Sequence, residues 1–476
     1  MKTEAVEQWD LYEITLPGPS EGNPFREVEL AALFRRAGRE LLVDGFYDGD
    51  GVYRIRFMPD EVGEWTYVTR SNVPQLAGMQ GRVVCTPPST GNHGPVRVAK
   101  RYHFAYADGT PYIPFGTTCY AWVHQTDSLV EQTLETLAQS PFNKLRMCVF
   151  PKSYVFNENE PPLYPFEGCP LTDWQFDRFN PVFFRRIEAC LYRLRDLAIE
   201  ADLILLHPYD RWGFAQMTAE EDDRYLRYVV ARLAAFRNVW WSMANEFDFM
   251  EGKNDEDWDR MFRVVQDADP YDHLRSIHNG ARFYDHSAPW VSHCSVQSGN
   301  MEAGKMWRQN YGKPVVFDEV CYEGNIEDPW GNITPQELVH RFWRGTVAGC
   351  YVGHGETYLH PHDILWWSKG GELHGESPSR IAFLRQVLGE LPHGLTPAEG
   401  NWRWQDRAVM VEGRCYLFYF GPHQPSFWTL PEGGPWHVEL LDTYQMTRGV
   451  LVRHAEGGAR IRMPAKPWQA LVVTRR

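Results

Sequence analysis

The chain has 476 residues, 43% of them hydrophobic and 14% aromatic, which is too long for one ordinary domain and argues against disorder. Its net charge of −14, with no run of Lys or Arg, argues against nucleic acid or an anionic membrane as partner. No apolar stretch approaches the ~20 residues of a membrane span, and the opening MKTEAVEQWDLYEI lacks the layout of a secretion signal.

Nine scattered cysteines without a C-x-x-C pair suit a reducing compartment, so a cytoplasmic location is expected. Residues 1–98 read as short strands with turn punctuation. "REVELAALFRR", "GVYRIRFMPD" and "GEWTYVTRS" carry alternating, β-branched or aromatic residues, separated by "DGFYDGDG" and "PDEVG". An immunoglobulin-like β-sandwich is predicted there, followed by a linker at 86–97, "TPPSTGNHGPVR".

Over residues 99–393 the rhythm becomes strand, then helix, repeatedly. Candidate strands are 112–115, 144–150, 203–207, 239–243, 275–278, 291–295, 315–318 and 350–352. Between them run amphipathic helices, as in the one-sided spacing of Ile187, Leu191, Leu194 and Ala198, or of Trp258, Met261, Phe262 and Val265. Eight such units predict an α/β fold of the (β/α)8 or TIM-barrel type. A doubly wound open sheet would show a Gly-rich phosphate turn after an early strand, and none is present. Residues 394–476 return to β character in "RAVMVEGRCYLFYFG", "WHVELLDTY" and "QALVVTRR", predicting a second small β-sandwich. The two terminal β-regions are read as bracing the barrel or as subunit contacts in a homo-oligomer.

The apolar run in "NVWWSMANEFDF" (238–249) breaks directly into Asn245 and Glu246, as a strand does where it opens into a pocket. Glu319 ends the seventh candidate strand in "KPVVFDEVCYEG". Barrel chemistry sits where strands end, and strands four and seven lie across the mouth from each other. Paired carboxylates there supply what glycosidic cleavage needs: one protonates the leaving oxygen and the other attacks or activates water. Asp318 and Glu323 are neighbouring acids that compete for the second role, although a regular strand turns Asp318 away from Glu319.

Asn-Glu after a fourth strand and Glu after a seventh resemble the clan A retaining glycoside hydrolases. The wider chain, with "YIPFGTTCYAW", "WSMANEFD", "VVFDEVCYEGN", "GHGETY" and β-domains at both ends, is similar to the apiosidase-like group of bacterial hydrolases. The resemblance implies that Glu246 is the acid/base, Glu319 the nucleophile and Asn245 a partner of the sugar 2-hydroxyl. It also implies a tryptophan beneath the bound sugar after strand eight, here Trp366 or Trp367, with no cofactor and a carbohydrate substrate.

Other groups fall at strand ends. Arg146 on strand two is a candidate to steady the charge of Glu319, with a core ion pair as the competing reading. His207 and Asp210 sit at the third strand's rim, where hydroxyl recognition and helix capping compete for Asp210. Tyr120 and Trp122 follow strand one, His278 lies on strand five, and Gln297 or His293 on strand six. His354 and Glu356 are candidates for sugar hydroxyls. The aromatic segment 151–180 is read either as a pocket wall favouring exo-action or as a flap over the barrel rim.

Two other functions were weighed. A non-catalytic carbohydrate-binding barrel is disfavoured by the presence of both glutamates. A metal-dependent hydrolase would use His354, His360, His362 and Asp363, but no H-E-x-x-H spacing appears and no metal site is expected.

Overall fold

The computed structural model describes residues 4–170, 172–359, 365–398 and 408–475. In the N-terminal region seven strands form one sheet. Their order is Glu4–Glu7, Gln80–Thr86, Gly63–Ser71, Leu30–Arg36, Arg39–Tyr47, Val52–Phe57, Tyr12–Pro17. Strand Arg39–Tyr47 pairs with Leu30–Arg36 through residues 39–44 and with Val52–Phe57 through residues 45–47, so the sheet folds over on itself there. Gly45 stands at the changeover, where a Cβ would come within 2.8 Å of the Leu30 side chain and 2.9 Å of the Arg54 carbonyl oxygen. Alternate residues of both halves, among them Ile14, Phe34, Ile55, Trp65 and Val83, fill one core.

Eight parallel strands form the barrel: β1 (Gly116–Thr118), β2 (Lys144–Cys148), β3 (Glu200–Leu206), β4 (Val239–Ala244), β5 (Arg275–Ser276), β6 (Cys294–Gln297), β7 (Val315–Glu319) and β8 (Tyr351–His354). They neighbour one another in the order β5-β4-β3-β2-β1-β8-β7-β6, and a parallel bridge between His278 and Ser295 joins the two ends. Among the described residues a helix of eight residues or more follows every strand except β5. The segment after β5, "HNGARFYDHSAPWVSH", has Gly280, Pro289 and no apolar period to support one.

The first barrel strand begins at Gly116, not at Tyr112 as the sequence suggested. Pro114 has no N–H for the ladder, and Tyr112 instead belongs to a three-stranded sheet of Val96–Ala99, His103–Tyr106 and Pro111–Tyr112. Val96, Phe104 and Tyr112 of that sheet pack on Trp240, Leu274 and Val316, closing the end of the barrel where the strands start. Just inside, the Lys144 ammonium lies 2.5 Å from Asp202 and 2.8 Å from Asp318.

The N-terminal sheet is joined to two barrel helices, Pro181–Asp196 and Ala219–Leu233, by a buried ionic chain. Arg56 meets Glu188 at 2.8 Å, Glu188 meets Arg232 at 2.6 Å, and Arg232 meets Asp48 at 2.8 Å. Each charge has an opposite neighbour, the condition under which burial of ions is tolerated.

The C-terminal sheet runs Thr396–Pro397, Ala408–Val411, Cys415–Gly421, Gln469–Arg475, Trp436–Asp442, Thr447–Ala455. It packs on the barrel helix Pro335–Val347, where Trp343 stacks on Tyr419 with ring centroids 5.5 Å apart. Among the described residues no helix is long and apolar enough to cross a membrane.

Candidate active site

All of β4 is buried, and its chain turns polar at the barrel mouth. Glu246 follows with φ 47°, a left-handed conformation that costs a non-glycine residue roughly 1–3 kcal/mol and clusters at functional sites. The flanking backbone is pinned: the Asn245 N–H donates to the Leu206 carbonyl and the Phe247 N–H to the His278 carbonyl, each at 3.0 Å. The turn aims the Glu246 carboxylate across the mouth, where Tyr209 donates to Oε2 and Asn245 Nδ2 donates to the same oxygen at 2.9 Å.

Glu319 closes β7 opposite. Its Oε1 accepts from the Tyr120 hydroxyl and lies 3.3 Å from Arg146 Nη1. The same Arg146 nitrogen donates to Asn245 Oδ1 at 2.7 Å, and the Tyr120 hydroxyl oxygen lies 3.0 Å from that Oδ1. Asn245 therefore ties the two sides together, receiving on its oxygen the groups that hold Glu319 and donating from its nitrogen to Glu246. Asp318 is turned away, bonded to Lys144 and to Ser295.

Gln297, at the end of β6, stands between the carboxylates. With its amide oriented to match its neighbours, Nε2 donates to Glu319 Oε2 at 3.1 Å and to Glu246 Oε1 at 3.3 Å. One nitrogen in contact with both oxygens holds them no more than about 6.4 Å apart.

Above the pair lies a cavity of about 380 Å³ walled by Lys152, Tyr154, Phe156, Tyr209, Trp330 and Trp367. Its lining comes from chain segments after every strand but β5. Burial pushes the Glu319 carboxyl up to about 7. The contacts from Arg146 and Tyr120 to Oε1 favour the anion.

Glu246, Glu319, Gln297 and Tyr120 line the cavity, and Asn245 and Arg146 lie against them. Tyr120 is fully buried on the cavity floor, not on the rim. The remaining candidates are elsewhere. Trp122 is packed in the core, its indole N–H on the Met147 sulfur at 3.4 Å. His207 is buried with Nε2 3.3 Å from the Phe150 carbonyl. Asp210 accepts backbone N–H groups from Trp212, Gly213 and Ala215, which decides for a cap over hydroxyl recognition.

His278 is wholly buried in the barrel interior, and His293 lies under Phe104. His354 is stacked on Phe142 and bonded to Thr117 at 2.9 Å. Glu356 accepts the backbone N–H groups of His374 and Gly375, and Glu323 those of Glu376 and Ser377, so both acids pin the start of the last barrel helix and neither lines the cavity. Trp366 donates to Thr117 inside the core, and its neighbour Trp367 faces the cavity instead.

His360, His362 and Asp363 lie outside the described residues. Among the described residues no group of three or more His, Cys, Asp or Glu side chains could hold a metal ion. Segment 151–180 contributes to the cavity wall at one end and packs on the barrel at the other. Lys152, Tyr154 and Phe156 wall the cavity, while Trp174 packs on Tyr164 and Phe214 as a flap. Lys152, Tyr209, Tyr322 and Trp330 were missed in the sequence, since single residues in loops carry no periodic signal.

A catalytic-domain model described as apiosidase-like matches residues 98–413, flanked by two domains of unknown function, DUF5060 at residues 5–72 and DUF5605 at residues 404–474. No match was found among curated proteins. A crystal structure from Bacteroides vulgatus ATCC 8482, described as a candidate glycoside hydrolase, is 39% identical with a TM-score of 0.95, and covers 100% of both chains. A glycoside hydrolase family 5 protein from the same organism shares the fold at 13% identity and a TM-score of 0.62, covering 81% of this chain and 94% of its own. With its paired glutamates at the mouth of a glycoside hydrolase-like barrel and a family match over most of its length, this chain belongs to the apiosidase-like family.

Proposed function

We propose that this chain is a retaining glycoside hydrolase that removes a terminal sugar by double displacement. The observation that carries the reading is the single Gln297 nitrogen in contact with both Glu246 and Glu319. The two oxygens it contacts are at most about 6.4 Å apart, which accommodates the ~5–5.5 Å carboxyl separation of retaining enzymes.

Each residue then has a task. Oε1 of Glu319 is held by Tyr120 and Arg146, and Oε2, in contact with Gln297, is the oxygen that attacks the anomeric carbon. As that bond forms, the bond to the leaving oxygen breaks and the oxygen takes a proton from Glu246. Water then attacks the glycosyl ester, gives its proton to Glu246 and frees the Glu319 carboxylate. Asn245 spends one amide N–H on Glu246 and has a second for a 2-hydroxyl, a bond that strengthens in the transition state.

Exo-action is supported by the walls. Lining from seven of the eight strand ends, with Phe156, Trp330 and Trp367 around it, suits the end of a glycan better than the middle of one. Proton NMR of the first-formed product tests the reading. An initial hemiacetal with the substrate's own anomeric configuration is expected, and the opposite configuration would replace the nucleophile with a water-activating base.

A further inference from the structure

Lys152 follows β2 and is buried in the wall of the cavity. Its ammonium is enclosed by aromatic faces, 3.5 Å from the ring centroid of Tyr120, 4.1 Å from Tyr209, 4.5 Å from Tyr154 and 5.7 Å from Trp367. It has no carboxylate or carbonyl partner among the described residues. Other lysines, buried or half-buried, have such partners. Lys144 has two aspartates, Lys253 has Asp222 at 2.5 Å, and Lys313 has two backbone carbonyls at 2.7 and 2.6 Å.

Aromatic faces hold a cation in place but accept none of its three N–H bonds in the ordinary sense. Water entering the cavity can serve them. A neutral sugar that displaced this water would leave the buried charge with no anion in hydrogen-bond contact, Glu246 acting on it only from beyond ion-pair distance, which is costly. An anionic substituent would compensate it, and the other charged lining groups, Glu246, Glu319 and Asp328, are all acidic, so Lys152 is the lining cation among the described residues. Burial pushes the ammonium down to about 8, against the attraction of the Glu246 carboxylate.

Resting on the glycosidase reading for its site, we infer that Lys152 selects a sugar carrying an anionic substituent, the carboxylate of a uronic acid or a sulfate ester, in the catalytic cavity. The substituent forms a charge-assisted hydrogen bond with the ammonium while Glu246 and Glu319 flank the linkage.

The test uses the full chain and matched aryl glycosides: a neutral sugar, its 6-carboxylate and its 6-sulfate, over several sugars and both anomers. Binding is measured by calorimetry on Glu319→Gln, so that nothing is consumed. The tightest anionic member is expected to bind about tenfold or more tightly than its neutral partner. Adding Lys152→Met should erase that margin, and Lys152→Arg should keep most of it. Whether the carboxylate or the sulfate wins identifies the group. Neutral partners binding as tightly in every pair, no binding by any anionic member, or a margin that survives Lys152→Met would each overturn the inference. Tight anion binding without turnover by the unmodified chain would instead sink the glycosidase reading and leave the anion site standing.

Discussion

At the closed end of the barrel Lys144 lies between Asp202 and Asp318, beneath the Phe104–Tyr112 hairpin. At the open end, two residues further along β2, Arg146 meets Asn245, Tyr120 and Glu319 through one nitrogen, while its Nε and Nη2 have no hydrogen-bond partner among the described residues. The same two strands carry both sets, since Asp318 and Glu319 are neighbours on β7. The lower set is sealed under the hairpin, one cation between two anions, with Asp202 held by its ion pair alone. The upper set is left partly unmatched beside a cavity. Ion-paired charge sealed away from any cavity is the mark of a structural role, and incompletely partnered charge at a strand end beside one that of a group waiting for a ligand.

Substitution at each end should separate the two roles. Glu319→Ala should lower kcat/KM by about 10⁴ or more with a near-normal unfolding midpoint, because it removes the attacking atom and no stabilising layer. Retained activity with a large loss of stability would make the upper set structural too. Lys144→Met should do the reverse. Two buried carboxylates left without their cation cost about 3–5 kcal/mol in urea unfolding, while enzyme that remains folded keeps its activity within a few-fold.

Arg146→Met should fall between, lowering kcat/KM by about 10² and moving the acid limb of its pH profile upward. Burial pushes the Glu319 carboxyl up to about 7, and removing the cation 3.3 Å from its Oε1 makes ionisation harder still. An unmoved limb would mean that Arg146 only orients Asn245. The smallest effect concerns stability against pH. The Glu319 carboxyl is raised from its ordinary 4.5 to about 7, so its protonated form favours the fold. That contribution is complete below pH 4.5 and is lost as pH rises through 7. Glu319→Gln, which cannot ionise, should gain roughly 1–3 °C in Tm over the parent at pH 8 relative to their difference at pH 4.5. A gap independent of pH would contradict the raised value.

The barrel, its strand ends and both glutamates were legible because period and residue type are properties of the chain. Arg146 was legible for the same reason, being an inward-facing charge on a strand. What escaped depends on how loops fold back. Trp366 and Trp367 are adjacent, and only the packing of the short helix Trp366–Lys369 decides that the second faces the cavity. His207, His278 and His354 resemble site residues by type and position but are absorbed by the core. Glu356 and Glu323 serve backbone N–H groups more than 15 residues ahead in the chain, a pairing no local pattern announces. Lys152 had no signal of its own, because its meaning lies in three tyrosines and a tryptophan from four loops.

Azide trapping puts the two glutamates to the most direct test. Supplied to Glu319→Ala, azide should take the place of the missing carboxylate and yield a glycosyl azide of inverted configuration. Supplied to Glu246→Ala, it should attack the glycosyl ester on Glu319 and yield the retained one. Opposite configurations from the two variants are the expected result. The same configuration from both, or no adduct from either on a substrate the parent enzyme cleaves, would contradict the assignment.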